Sequence, residues 1–175
     1  MVDVMLDIET LGTRPGFIVL TVGAVAFDFD TGSEVSSFQA NISIKDSQDR
    51  GLLIDADTLR WWLEQDKGAF DMAFLSKEKI NLADAASSFS DWFSSVCDGT
   101  IWAQGMDFDM PIWGHAMEAA GVERPWPFRA CRDTRSAYHA TRFNPKSVKR
   151  HGTHHSAIDD ARHQIRCLNA AVRSK

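Results

Sequence analysis

The chain has 175 residues, 44% of them apolar and 25% charged, with a net charge of −5; this is the make-up of a globular protein with a sizeable core, and it excludes an intrinsically disordered chain. No apolar run approaches the ~20 residues a membrane span needs, and no basic segment followed by an apolar one opens the chain as a secretory signal would. Cys97, Cys131 and Cys167 lie far apart with no Cys-x-x-Cys pair, which suits free thiols in a reducing compartment and a cytoplasmic location.

Residues 2 to 9 alternate with the period of a strand. Val2, Val4, Leu6 and Ile8 point to one face; Asp3, Met5, Asp7 and Glu9 point to the other. Asp7 and Glu9 thus share a face at the strand end, just before a turn at Gly12. Taken alone, such a pair reads as a solvated strand end. Ile18 to Phe27 is a β-rich apolar run suited to a central strand, and Glu34 to Ile44 alternates again, so the first three strands form an antiparallel meander. The period then changes. Asp57 can cap a helix over 58–65 that carries Leu59, Trp62 and Leu63, with Trp62, in step with Leu59, facing the core and Trp61 left to stack or to cover the meander. Asn81 caps an amphipathic helix whose stripe is Leu82, Ala85, Ala86, Phe89, Trp92, Phe93 and Val96. Residues 100–104 read as a short buried strand, and a helix begins near Asp109 with Pro111 in its first turn and Gly121 past its end. The segment 125–144 is irregular. A last helix spans about 156–172, with Ile158, Ala161, Ile165, Leu168 and Val172 as its stripe. No repeat or linker divides the chain, so residues 1–175 read as one α/β domain with helices on both sides of a mixed sheet.

Acids recur where a core would not want them. Asp109 stands at a strand-to-helix junction, where open α/β sheets gather ligands, although an acid there also serves as an N-cap. Asp160 lies in the second turn of the last helix, near an N-terminus that favours an acid in any case, and His154 and His155 precede it in what could be a solvated loop. The Cys and His residues offer no Cys-x-x-Cys pair to complete a zinc site, and neither a Gly-x-Ser-x-Gly elbow nor a phosphate-binding P-loop is present. Charge is divided along the chain. Residues 1–123 hold 7 basic and 21 acidic side chains, a net −14, whereas residues 124–175 hold 12 and 3, a net +9. An acidic body with a basic C-terminal third keeps a nucleic-acid partner open, because the local patch decides binding.

Asp7-Ile8-Glu9-Thr10, then Phe108-Asp109, then His155-x-Ala157-x-x-Asp160-Ala161 resemble the three motifs of the DEDD 3′–5′ exonucleases, histidine subclass, in the family's order and across nearly the whole chain. Asp7 to Thr13, Thr58-Leu59-x-Trp61-Trp62-x-x-Gln65 and Arg132-Asp133-Thr134-Arg135 are similar to the phage exonuclease A and mycobacterial exoribonuclease-like branch. The resemblance implies a ribonuclease-H-like fold, a mixed five-stranded sheet flanked by helices on both faces. It implies that Asp7, Glu9, Asp109 and Asp160 hold two divalent cations, Mg²⁺ or Mn²⁺, with Asp7 bridging them, and that His155 acts as general base. The implied substrate is the 3′ end of a single-stranded RNA or DNA, released as nucleoside 5′-monophosphates. Thr10 and Leu11 would contact the terminal nucleotide. Arg132 and Arg135, with Arg142, Lys146, Lys149 and Arg150, would be available to phosphates. Many relatives are homodimers, which the sequence allows without requiring. A nucleic-acid-binding module without turnover is the alternative on the same fold.

Overall fold

The computed structural model describes residues 1–173. β1 (Val2–Thr10) is the alternating strand expected from the sequence. β2 (Val19–Asp28), buried along all but its last residue, and β3 (Glu34–Ile42) complete the antiparallel meander. α1 (Ile44–Asp49), α2 (Ala56–Leu63) and α3 (Lys67–Phe74) follow. α2 starts ahead of the expected position because Asp55, not Asp57, caps it. The Asp55 carboxylate accepts from the Thr58 amide at 3.1 Å and the Thr58 hydroxyl at 2.7 Å. Trp62 is buried as expected, but Leu59 is 37% and Leu63 68% exposed, since this short helix enters the core through Trp62 alone.

β4 (Lys79–Ile80) pairs parallel to β3. α4 (Leu82–Val96) buries Leu82, Ala85, Ala86, Phe89 and Phe93. Asn81 stands at its N-cap without a side-chain bond, and Asp46 of α1 accepts from the Leu82 amide at 2.8 Å. β5 (Ile101–Ala103) pairs parallel to β1. α5 (Met106–Ala119) begins three residues before Asp109, behind a left-handed Gly105 at φ 106°, so Pro111 is interior to the helix. The segment 125–144 is not irregular: it holds β6 (Cys131–Asp133), parallel to β5, and α6 (Thr134–Thr141). Three residues of strand and a helix burying only Thr134 and Tyr138 carry too little periodicity to read. α7 (Ala157–Arg173) closes the described chain.

Among the described residues the sheet has six strands, in the order β4-β3-β2-β1-β5-β6, not five. The short strands β4 and β6 form its two edges. Helices do cover both faces. Val4, Leu6 and Ile8 share a core with Phe89 of α4 and Trp113 of α5. Met5, Val25 and Phe27, on the opposite face, pack on Ile158, Ala161, Ile165 and Leu168 of α7. No helix among the described residues is long and apolar enough to cross a membrane.

One glycine sets how close α7 comes to the sheet. Gly23 pairs with Asp7 across β1 and β2, and a Cβ there would lie 2.4 Å from the Ile158 nitrogen and 2.5 Å from the Ala157 carbonyl carbon. The first turn of α7, with Asp160, therefore rests directly on the strand pair. Gly23→Ala is expected to destabilise the fold by about 1–3 kcal/mol, the usual cost of overpacking against a backbone that cannot yield. Urea denaturation measures it, and an unchanged midpoint would show that the helix is free to shift.

Candidate active site

Five side chains reach one cleft from four parts of the chain. β1 delivers Asp7 and Glu9 on the face that α7 covers, at the end of the strand. Asp109 projects from the start of α5, and its Oδ1 accepts from the Ile8 amide at 3.2 Å. The pairing of β5 with β1 ends at Met5, so this carboxylate takes over the edge of β1 where the short strand stops. Asp160 comes from the first turn of α7. His155 precedes that helix in a left-handed conformation, φ 61°, a strained geometry for a non-glycine residue that is typical of functional positions. Its ring meets Trp61 edge-to-face at 5.0 Å and Trp62 at 6.0 Å. Ligand atoms of Glu9, His155 and Asp160 all lie within 4.8 Å of one another. The cleft, about 300 Å³, is lined by all five of these residues together with Gln104, Phe108 and Arg135.

Two acids on β1 differ in how far their carboxylates are satisfied. Asp3 is buried and satisfied: it accepts from the Thr100 amide at 2.7 Å, the Thr100 hydroxyl at 3.0 Å and the Trp102 indole at 2.8 Å. Asp7 has one such donor, the Gln164 amide at 2.6 Å. Burial, then the charges of Asp109, Glu9 and Asp160, push its carboxyl well above the usual range. Burial and the charges of Asp160 and Asp109 push Glu9 up to about 8. Burial likewise pushes Asp109 up to about 8, against the hydrogen bond from Ile8. His155 is pushed down, by burial first and then by His154, so its imidazole stays neutral at pH 7. Arg150, from the loop before α7, places Nη1 on the Asp160 carboxylate.

The other residues singled out in the sequence divide. Thr10 lines a second cavity of about 420 Å³, which adjoins the cleft through Ile8, Glu9 and Phe108 and is walled by Trp61 and Trp62. The Thr10 carbonyl accepts from the Trp62 indole at 2.9 Å. Leu11 turns its side chain into the core, 1% exposed. Arg135 lines the cleft. Arg132 does not; its guanidinium bonds the Arg129 and Cys131 carbonyls at the surface. Sequence reasoning missed Gln164 and Gly23. Gln164 sits one turn beyond Asp160 on the buried stripe of α7, where a buried amide among apolar residues is the signal that could have marked it.

A mixed sheet whose first strand carries two acids, joined by acids from two later helices, is the framework of a class of nucleases. The structure aligns with E. coli exonuclease I in complex with a dT13 oligonucleotide at a TM-score of 0.73 and 14% identity, covering 98% of this chain and 41% of that one. It aligns with the nuclease domain of 3′hExo, a DEDDh family member bound to rAMP, at a TM-score of 0.66 and 12% identity, covering 98% and 92% of the two chains. The fold is the α/β, ribonuclease-H-like fold of these nucleases. The family model of the 3′–5′ exoribonuclease Rv2179c-like domain matches residues 2–172, and the chain belongs to that family. An exodeoxyribonuclease of Enterobacteria phage T4 is 27% identical over 122 residues, 64% of this chain and 54% of the phage protein, so the chain spans little more than half the length of that relative.

Proposed function

We propose that the protein is a metal-dependent 3′–5′ exonuclease that releases nucleoside 5′-monophosphates from the 3′ end of single-stranded RNA or DNA. The observation that carries this reading is the convergence of Asp7, Glu9, Asp109, Asp160 and His155 on one cleft beside an aromatic-walled cavity of nucleoside size.

The donor set fits divalent cations. Four carboxylates offer the oxygen ligands that hard cations prefer, and three of the four are pushed upward in pKa by burial and one another's charge. Bound there, two ions, Mg²⁺ or Mn²⁺, would supply positive charge to the scissile phosphate and to the attacking and leaving oxygens of an in-line displacement. The chain's own residues do the rest. Trp61 and Phe108 offer faces to the terminal base, and Thr10 bounds its ribose side. Arg135 offers its guanidinium to a phosphate oxygen. The neutral His155 imidazole takes a proton from the attacking water as the water oxygen bonds to phosphorus, and the bond to the 3′-oxygen of the preceding nucleotide breaks, that oxygen receiving a proton from solvent. The ligands of the solved neighbours agree with this reading: dT13 for exonuclease I, rAMP for 3′hExo, and a zinc-bound form of the exonuclease I–ssDNA complex.

The test is digestion of one sequence as 5′-labelled single-stranded RNA and DNA, with Mn²⁺ and with EDTA. A ladder shortening from the 3′ end only with metal is expected, and the faster ladder names the preferred strand. Folded protein that binds both strands but shortens neither would replace this reading with a binding module.

A further inference from the structure

The cleft has a second neighbour besides the Trp61 cavity, reached through a different wall residue. A groove of about 540 Å³ runs between the loop preceding α7 and the end of β5, lined by Pro145, Lys146, Val148, Lys149, Arg150 and His163, with Gln104. Gln104 also lines the acidic cleft, so the two adjoin, and Arg150 of the groove reaches Asp160 of the cleft. No acid lines the groove. The three acids of the C-terminal third are engaged elsewhere: Asp133 caps α6 at the Ser136 amide, Asp159 accepts from the Thr153 amide, and Asp160 holds Arg150. Lys146 and Lys149 are exposed and form no ion pair among the described residues.

The loop that displays them is anchored. Asn144 Oδ1 accepts from the Lys146 amide at 3.1 Å, the Ser147 hydroxyl bonds the Asn144 carbonyl at 2.7 Å, and Phe143 and Val148 pack on Tyr138, Cys167 and Ala171. His163, in the wall, has its Nδ1 buried without a hydrogen-bond partner.

Resting on the exonuclease reading, the geometry points to this groove as the track for the strand upstream of the scissile bond, with Lys146 and Lys149 on its phosphates. The cavity beyond Glu9 carries Asp55 and Asp57 among apolar walls and repels phosphate, so it suits the terminal nucleoside. The basic groove suits the polyanion that must leave the cleft. Of the basic residues, it selects Lys146, Lys149 and Arg150 and leaves Arg132 outside.

The test uses K146A/K149A in the full chain, with K45A/K67A as a control that removes the same charge from α1 and α3. Anisotropy of 5′-fluorescein-labelled dinucleotide and twelve-mer, as RNA and as DNA, is measured in EDTA across a salt series. Turnover of both lengths is measured with Mn²⁺. For the twelve-mer, the slope of log affinity against log salt should fall by about 1.4, two phosphate contacts at ~0.7 each on a single strand. The ratio of kcat/KM for twelve-mer over dinucleotide should fall about tenfold, and the control should match the parent. An unchanged salt slope, or an equal loss on both lengths, would overturn the track. A parent that binds but cleaves neither length would defeat the exonuclease reading, and the salt slope would still decide the groove. RNA and DNA responding alike marks phosphate recognition; a loss confined to one strand type would overturn it.

Discussion

Asp7→Asn is expected to reduce cleavage by at least about 10³-fold, since the charge stabilisation it helps to hold in place amounts to several kcal/mol at about 1.4 kcal/mol per tenfold. The same substitution should raise the melting temperature of the metal-free protein. Asp7 is the residue on which the charges of Asp109, Glu9 and Asp160 all bear. A carboxyl whose pKa is raised by folding loses stability as it ionises. That loss is absent below its unfolded value, near 4, grows as pH rises, and is complete above the folded value, which for Glu9 and Asp109 is about 8. Asp28, Asp46 and Asp55, with lowered values, act in the opposite sense and lose their contribution below about pH 4. Metal-free protein in EDTA should therefore be most stable near pH 5 and weaken toward pH 8, and the advantage of Asp7→Asn should widen over that interval. At roughly 2–4 °C per kcal/mol for a chain of this size, the widening is well within reach of a thermal scan. Asn keeps an oxygen for the Gln164 amide, so the variant isolates the charge. A parent whose metal-free melting temperature climbs from pH 5 to pH 8 would contradict the electrostatic account.

The residues that were legible in the sequence are those tied to a period or a fixed spacing. Asp7 and Glu9 could be placed together because a strand puts alternate residues on one face, and the structure keeps that face. His155 and Asp160 could be paired through the fixed spacing of the family motif, while the apolar stripe of α7 marked only the helix that carries Asp160. What escaped depends on pairs of elements. Gly23 matters only because α7 lands on it, which neither strand period nor helix period encodes. Arg132 and Arg135 could not be separated, since the short β6 and α6, which turn one outward and the other into the cleft, carry no readable period. Asp55 took the capping role assigned to Asp57 because both acids precede a plausible first turn, and tertiary packing of Trp62 chose between them.

His155→Ala should lower turnover by about 10²–10⁴-fold, the range for removing a positioned general base. The competing role is ligation, since His155 lies within the same 4.8 Å grouping as Glu9 and Asp160. The two roles separate by Mn²⁺ titration calorimetry. A base can be removed with the affinity kept, whereas losing a ligand or its support costs about 10–100-fold in affinity. The backbone is a second confounder. His155 sits at φ 61°, where a left-handed Ala costs about 1–2 kcal/mol, while Asn visits that region readily. His155→Asn therefore tests the imidazole with the conformation preserved, and both variants should lose turnover alike if the ring is what matters. Because burial and His154 hold the imidazole pKa below its usual value, the parent's turnover should fall only as pH drops below about 6.5, and that acid limb should flatten in both variants. Turnover falling in step with Mn²⁺ affinity would make His155 a ligand and overturn the base assignment.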